Sequence, residues 1–366
     1  MRFSLLRTLL LAGLVLSAPA NAFAATLDEM AGQMIVVGFQ GNSVNAKSVV
    51  ALREEIAKGR IGGVMFLKTN VSSLAAVKAM NAAFREASPD LPPFITLDQE
   101  GGAVERLTKD VGFGEVPSAE RIAAANSPDV AERIYAGMAK GIADLGFTVN
   151  FGPVVDLKVN PDNQVIAKFG RAYGKDPKTV ATYASAFVKA HEQAGVLTAL
   201  KHFPGHGSST KDSHEGFVDI TKTWTPLELE PYSTLFAGGY REFVMVGHLY
   251  HADYSGDGSA QLPASLSPDW IDGVLRKDLG FTGVVISDDL EMGAIRKQFD
   301  LKQTVTRAVR AGVDVLLFSN TAEYHAGLGE EIHAILMAEA KADPAFAARI
   351  EESYNRIVAL KGQIGK

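Results

Sequence analysis

Eight short apolar runs, each followed by a stretch patterned for a helix, constrain the fold of this chain more than any other feature. They are MIVVGF (34–39), GGVMFL (62–67), FITLD (94–98), FTVNFGPVVDL (147–157), LTALKHF (197–203), FVMVGHL (243–249), GVVISDD (283–289) and VDVLLFS (313–319). Polar residues do not alternate within them, so neither face is prepared for water, as in a parallel sheet covered on both sides. Between them lie segments such as VSSLAAVKAMNAAFREA and PDWIDGVLRKDLG, patterned as helices. Eight β-then-α units in a 366-residue chain match a single (β/α)8 TIM-type barrel. A doubly wound sheet would usually show a glycine-rich phosphate or dinucleotide turn, and neither GxGxxG nor GxxxxGK[ST] opens a helix here. No Pro/Ser-rich linker, solenoid repeat or low-complexity segment divides the chain, so one barrel domain is expected over residues 25–366.

The segment before it reads differently. Arg2 and Arg7 precede an apolar run from Leu9 to Leu16, and Ala20-Asn21-Ala22 or Ala22-Phe23-Ala24 offers a small-residue exit. That is the pattern of a secretory signal peptide over residues 1–24, too short in its apolar part for a membrane span. The expected location is therefore the periplasm or the medium, with no stable membrane anchor. A net charge of −6 gives no electrostatic reason to expect nucleic acid. The absence of cysteine excludes disulfides, thiolate zinc sites, a cysteine nucleophile and a lipoprotein anchor.

In a (β/α)8 barrel, chemistry belongs at the C-terminal ends of the strands. Charged and polar residues collect there: Asp98, Asp156, Lys201, His202, His248, Asp288 and Asp289. Burying several of them on one rim costs free energy unless they serve a ligand or one another. Asp288, after GVVI and Ser287, could attack an anomeric carbon, stabilise an oxocarbenium ion, ligate a metal or pair with a lysine. Asp289 is expected to cap a helix or support its neighbour through a hydrogen bond. In DQEGGAVERL, Asp98 suits sugar hydroxyls, Arg106 could orient its carboxylate, and Gly101-Gly102 permits positive φ.

The stretch KHFPGHGSSTKDSH holds three of the eight histidines. His202 and His206 stand four apart, yet Pro204 and Gly205 break the helix such spacing would need, and no HExxH is present. A metal site from His206, Asp212 and His214 is one reading. The other is an acid/base pair, because an aspartate that accepts a bond from an imidazole fixes its tautomer and stabilises the imidazolium. Ser213 lacks the GxSxG setting of a nucleophile.

Together these motifs resemble glycoside hydrolase family 3, in its β-N-acetylglucosaminidase branch. The resemblance runs through DQEGG (98–102), NFGPVVD (150–156), FGRAYG (169–174), KHFPGHG (201–207), DSH (212–214) and SDDLEM (287–292). It implies Asp288 as nucleophile and His214, paired with Asp212, as acid/base. It further implies Asp98, Arg106, Arg171, Lys201 and His202 as sugar-binding residues, with His206 in a supporting place. No metal or cofactor is implied. The expected enzyme is a monomeric, retaining exo-β-N-acetylglucosaminidase acting on a small oligosaccharide or muropeptide. Ala103 stands where many relatives carry an arginine, which implies different contacts in the outer cleft. Relatives that are β-glucosidases usually carry a further C-terminal domain and lack the DSH loop. Phosphorolysis or transglycosylation on the same site, a sugar-binding protein without catalysis, and a metal-dependent hydrolase are the competing readings.

Overall fold

The computed structural model describes residues 25–256 and 261–364; the expected signal peptide lies outside them. The strands are β1 (Ile35–Gly38), β2 (Gly63–Met65), β3 (Phe94–Leu97), β4 (Val149–Asn150), β5 (Leu197–Phe203), β6 (Val218–Asp219), β7 (Phe243–Val246), β8 (Leu249–Tyr250), β9 (Val284–Ser287) and β10 (Leu316–Phe318). Eight of them form one parallel sheet in the order β10-β1-β2-β3-β4-β5-β7-β9. A parallel bridge from Ile286 to Val315 brings its two edges together, closing the sheet into a (β/α)8 TIM-type barrel. The remaining two, β6 and β8, pair beside it.

The strands hold because they are buried on both faces. Every residue of β1, β3, β5, β7 and β9 is buried. Each fully buried Val, Ile, Leu or Phe contributes about 1.5–3 kcal/mol. Helices are started by local chemistry: Thr26 and Glu29 form a capping box ahead of Leu27–Gln33, and Asp176 accepts from Thr179 N before Pro177–Gln193. The segment around PDWIDGVLRKDLG forms a wide π-helix over Asp269–Asp278.

Two runs end sooner than the sequence suggests. FTVNFGPVVDL contributes only Val149–Asn150 to the ladder, because Pro153 has no N–H to donate; the chain rejoins at Val154, which bridges Lys201. FVMVGHL divides: Phe243–Val246 stays in the barrel, while Leu249–Tyr250 turns out to pair with β6.

At the N-terminal end, Asp314 is fully buried and ties three elements together. Its carboxylate accepts from Val285 N (2.9 Å), Ser353 Oγ (2.9 Å), Arg276 (2.6 Å), Arg349 (2.8 Å) and Arg356 (3.0 Å). Lys361, from the last helix Pro344–Lys361, donates to Gln33 Oε1 (2.6 Å) and Gly62 O (2.9 Å) beneath the Phe94 ring.

Candidate active site

The opposite end of the barrel is built strand by strand. After β3 the chain turns at Gly101 and Gly102, whose φ values of 97° and 62° favour glycine. A Cβ at Gly101 would approach Pro117 O to 2.6 Å. The turn returns Arg106 to Asp98, 2.8 Å from Oδ2, and Gln99 Oε1 fixes it by accepting from Arg106 N (2.9 Å) and Leu107 N (3.0 Å).

From β5, Lys201 reaches both acids of that segment, at 2.7 Å from Asp98 Oδ1 and 2.7 Å from Glu100 Oε1. Arg171 grips Glu100 through two bonds, Nε at 2.9 Å and Nη2 at 2.7 Å. Burial alone would push the carboxyls up, yet Lys201 and Arg106 hold Asp98 below its usual range, and Arg171 and Lys201 do the same for Glu100. Burial would likewise drive Lys201 towards neutrality, and the two carboxylates outweigh it. The result is a closed alternation of ionised groups.

His202 follows Lys201 across a cis peptide bond. Its Nδ1 donates to Asp156 Oδ2 (2.7 Å), while Asp156 Oδ1 accepts from the backbone of His202 (3.1 Å) and His206 (2.7 Å). Nε2 is left facing Arg171 at 3.4 Å. His206 uses both ring nitrogens on hydroxyls, Ser209 at 2.6 Å and Ser213 at 3.2 Å. Burial pushes its pKa down to about 4 despite the nearby Asp156 charge, so it is neutral. Among the described residues no group of three His, Asp or Glu side chains is placed to hold a metal ion.

Asp288 leaves β9 with its N–H on Val246 O (2.9 Å). Among the described residues, Asp289 N at 2.8 Å is the one hydrogen-bond donor to its carboxylate. Burial would raise its pKa, but His202, His248 and His214 outweigh that and lower it to about 2. Asp289 caps no helix: it accepts from Glu291 N (3.1 Å) and Ser319 N (2.9 Å), and the next helix starts at Gly293. Its carbonyl accepts from His248 Nε2 (2.8 Å), whose other nitrogen meets Ser265 Oγ. On the loop after β5, Asp212 Oδ1 accepts from both His214 N (2.8 Å) and His214 Nδ1 (2.7 Å), leaving Nε2 as the ring's outward nitrogen.

One cavity of about 380 Å³ is lined by Asp98, Arg106, Arg171, Lys201, His202, Asp212, His214 and Asp288, together with Phe169 and Met292 at its wall. A larger groove of about 770 Å³ between the helices Pro128–Asp144, Pro177–Gln193 and Glu230–Ala237 holds none of these groups. Glu100 and Asp156 carry more of the site than their sequence reading assigned. Glu100 could have been found from its spacing, since residues two apart on an extended segment share a face and Asp98 is its partner. Phe169, 45% exposed on the cavity wall, has no such signal.

A carboxylate held ionised, an imidazole oriented by a second carboxylate, and a floor of paired charges share one cavity at the C-terminal end of a (β/α)8 barrel, an arrangement suited to glycoside hydrolysis. The profile of the Glycosyl hydrolase family 3 N terminal domain matches residues 26–360, and the chain belongs to that family. It is 34% identical to a β-hexosaminidase of Xylella fastidiosa, over 78% of this chain and 82% of that protein. Its fold matches β-N-acetylhexosaminidase from Beutenbergia cavernae with a TM-score of 0.81 at 27% identity, covering 93% of this chain and 99% of that one. It also matches a family 3 β-N-acetylglucosaminidase from Paenibacillus sp. FPU-7, with a TM-score of 0.82 at 32% identity, covering 93% of this chain and 63% of that one.

Proposed function

We propose that this family 3 β-hexosaminidase is a retaining exo-acting β-N-acetylglucosaminidase that removes terminal N-acetylglucosamine from peptidoglycan fragments or chitooligosaccharides. The observation that carries the reading is Asp288, ionised and poorly hydrogen-bonded, in the same cavity as the Asp212–His214 pair.

In the first step a carboxylate oxygen of Asp288 forms a bond to the anomeric carbon as the glycosidic C–O bond breaks. His214, doubly protonated, gives its Nε2 proton to the departing oxygen, and Asp212 compensates the imidazolium charge before transfer. In the second step His214 takes a proton from water as that water attacks the anomeric carbon and releases Asp288. Asp98, Arg106, Arg171, Lys201 and His202 meet the hydroxyls of the terminal sugar, and Arg171 also holds Glu100 and the His202 edge in place. The signal-like residues 1–24 support action in the periplasm or outside the cell; fractionation of cells expressing the full chain tests that, and retention in the cytoplasm would overturn it.

The deciding assay is release of nitrophenol from the β-N-acetylglucosaminide and the β-glucoside by wild type, Asp288→Asn and His214→Ala. Activity on the acetamido sugar, lost in Asp288→Asn and reduced in His214→Ala, supports the assignment. Activity on the glucoside alone would replace the substrate. Sugar binding without turnover would replace the function.

A further inference from the structure

His214 is the most exposed of the groups assigned to chemistry, with 65% of its side chain accessible. An acid/base on an exposed turn must still be held to within a fraction of an ångström of its productive position. What holds it is visible in the backbone. Residues 212–216 form a compact turn in which Asp212 O accepts from Glu215 N (3.1 Å) and Gly216 N (3.3 Å). From the barrel side, His206 reaches the hydroxyl of Ser213. From the other side, three consecutive carbonyls of the turn are answered by one short segment. Ser213 O accepts from Ala294 N (3.2 Å), His214 O from Gly293 N (3.2 Å), and Glu215 O from Lys297 Nζ.

That segment is the continuation of β9 beyond Asp288. Met292 N is bonded to Asp289 O (3.0 Å), and Ile295 N and Arg296 N return to Met292 O, so Asp288 and the donors belong to one short, internally bonded stretch. The contact is close enough to need glycine. A Cβ at Gly293 would meet His214 O at 2.7 Å and the carbonyl carbon and oxygen of Glu215 at 2.9 Å, and these turn atoms are its three nearest neighbours. A side chain there would push on the turn before it pushed on the barrel.

We propose that Gly293 and Lys297 are positioning residues for the acid/base step: they clamp the backbone of Ser213–Glu215 onto the stretch that carries the nucleophile, and so set the His214 imidazole against the bond that Asp288 breaks. This rests on the reading of His214 as acid/base. The clamp registers the two catalytic groups against each other although they come from loops after different strands. Loosening it weakens proton donation and leaves the nucleophile in place.

The test uses leaving-group dependence, because a lost proton donor matters most for a poor leaving group and least for one that departs unaided. kcat/KM, which reports the first step, is measured on dinitrophenyl, nitrophenyl and phenyl β-N-acetylglucosaminides for wild type, His214→Ala, Lys297→Met, Lys297→Arg and Gly293→Ala. Azide is added as a nucleophile that needs no base. His214→Ala is expected to lose roughly 10²-fold or more on the phenyl glycoside and little on the dinitrophenyl one. Lys297→Met should show the same tilt at about tenfold on the phenyl glycoside, with most of it recovered in Lys297→Arg, and Gly293→Ala should fall between Lys297→Met and His214→Ala. Azide should accelerate dinitrophenyl turnover in His214→Ala and in Gly293→Ala. Equal losses on all substrates, or no loss on any, in Lys297→Met would overturn the clamp. Should Gly293→Ala unfold, Lys297→Met decides alone. If His214→Ala shows no tilt, the acid/base reading itself fails, a result distinct from failure of the clamp.

Discussion

Two aspartates at opposite ends of the barrel, one fully buried and one half-buried, show how this fold separates stability from chemistry. Asp314, at the N-terminal end, has five donors on its two oxygens, three of them arginines. Asp288, at the C-terminal end, has Asp289 N as its one hydrogen-bond donor among the described residues and lines the cavity. The first carboxylate is saturated, so nothing remains for a ligand. The second has its pKa lowered by the nearby imidazoles of His202, His248 and His214 and by the Asp289 N–H, and most of its lone pairs stay available. A carboxylate can be stabilised without being occupied, and that distinction marks the working end.

Exchanging the carboxylates for amides tests the contrast most severely. Asp288→Asn should lose turnover by roughly 10⁴-fold or more, with a loss of folding stability smaller than that of Asp314→Asn. Asp314→Asn should do the reverse. Uncompensated arginines would cost about 3–5 kcal/mol of folding stability, measured by urea unfolding, while kcat per folded molecule is retained. Loss of activity in both, with no difference in stability, would erase the contrast.

Lys201→Met addresses the paired floor of the pocket, which belongs to both classes. Removing the cation shared by Asp98 and Glu100 should lower kcat/KM by about 10²-fold and destabilise the fold by about 3 kcal/mol. A change in only one of the two readouts would assign the lysine to a single class.

A milder case is Glu228, buried under the KHFPGHG turn. One oxygen accepts from Gly207 N (2.9 Å), and the other has no hydrogen-bond partner among the described residues. Burial, aided by the Asp156 charge, pushes its pKa up to about 7. A carboxyl whose folded pKa lies above its unfolded one favours the fold most below about pH 4.5, and that contribution is lost as pH rises through about 7. Glu228→Gln stays neutral, so its melting temperature should gain about 3–6 °C on wild type between pH 5 and pH 8. Parallel pH profiles would show that the acid ionises in the folded protein as readily as in the unfolded chain.

The smallest effect is expected at the rim. Phe169→Ala should leave stability within about 0.5 kcal/mol, yet raise KM for di- and trisaccharides about fivefold if the exposed ring stacks on the departing sugar. An unchanged KM would remove Phe169 from the cleft's working surface.

Much of the fold and part of the site are legible in the sequence, though unevenly. All eight barrel strands fall within the apolar runs, and LTALKHF maps onto β5 residue for residue, because burial on both faces writes an uninterrupted apolar signature. The runs around Pro153 and Gly247 overreach, since composition continues where the hydrogen-bond ladder stops. Site pairs close in sequence, Asp98 with Arg106 and Asp212 with His214, were readable from chemistry and spacing. Partners from different strands were not: Glu100 meets Arg171 across 71 residues, and Asp156 meets His202 across 46. Gly293 shows no sign in sequence of the carbonyls pressed against it, and Asp314 reads as one polar residue in an apolar run until three arginines from two helices converge on it.

The hydrogen bond from Lys361 to Gln33 joins the last described helix to the first, and the two helices pack side by side. With the edge strands already bridged through Ile286 and Val315, the architecture is a ring whose starting point is arbitrary. A circularly permuted chain, spliced by a short linker across that junction and reopened at the exposed Pro89-Asp90 step, would inherit every strand pairing and every site residue. In such a chain the order of synthesis would change while the enzyme would not.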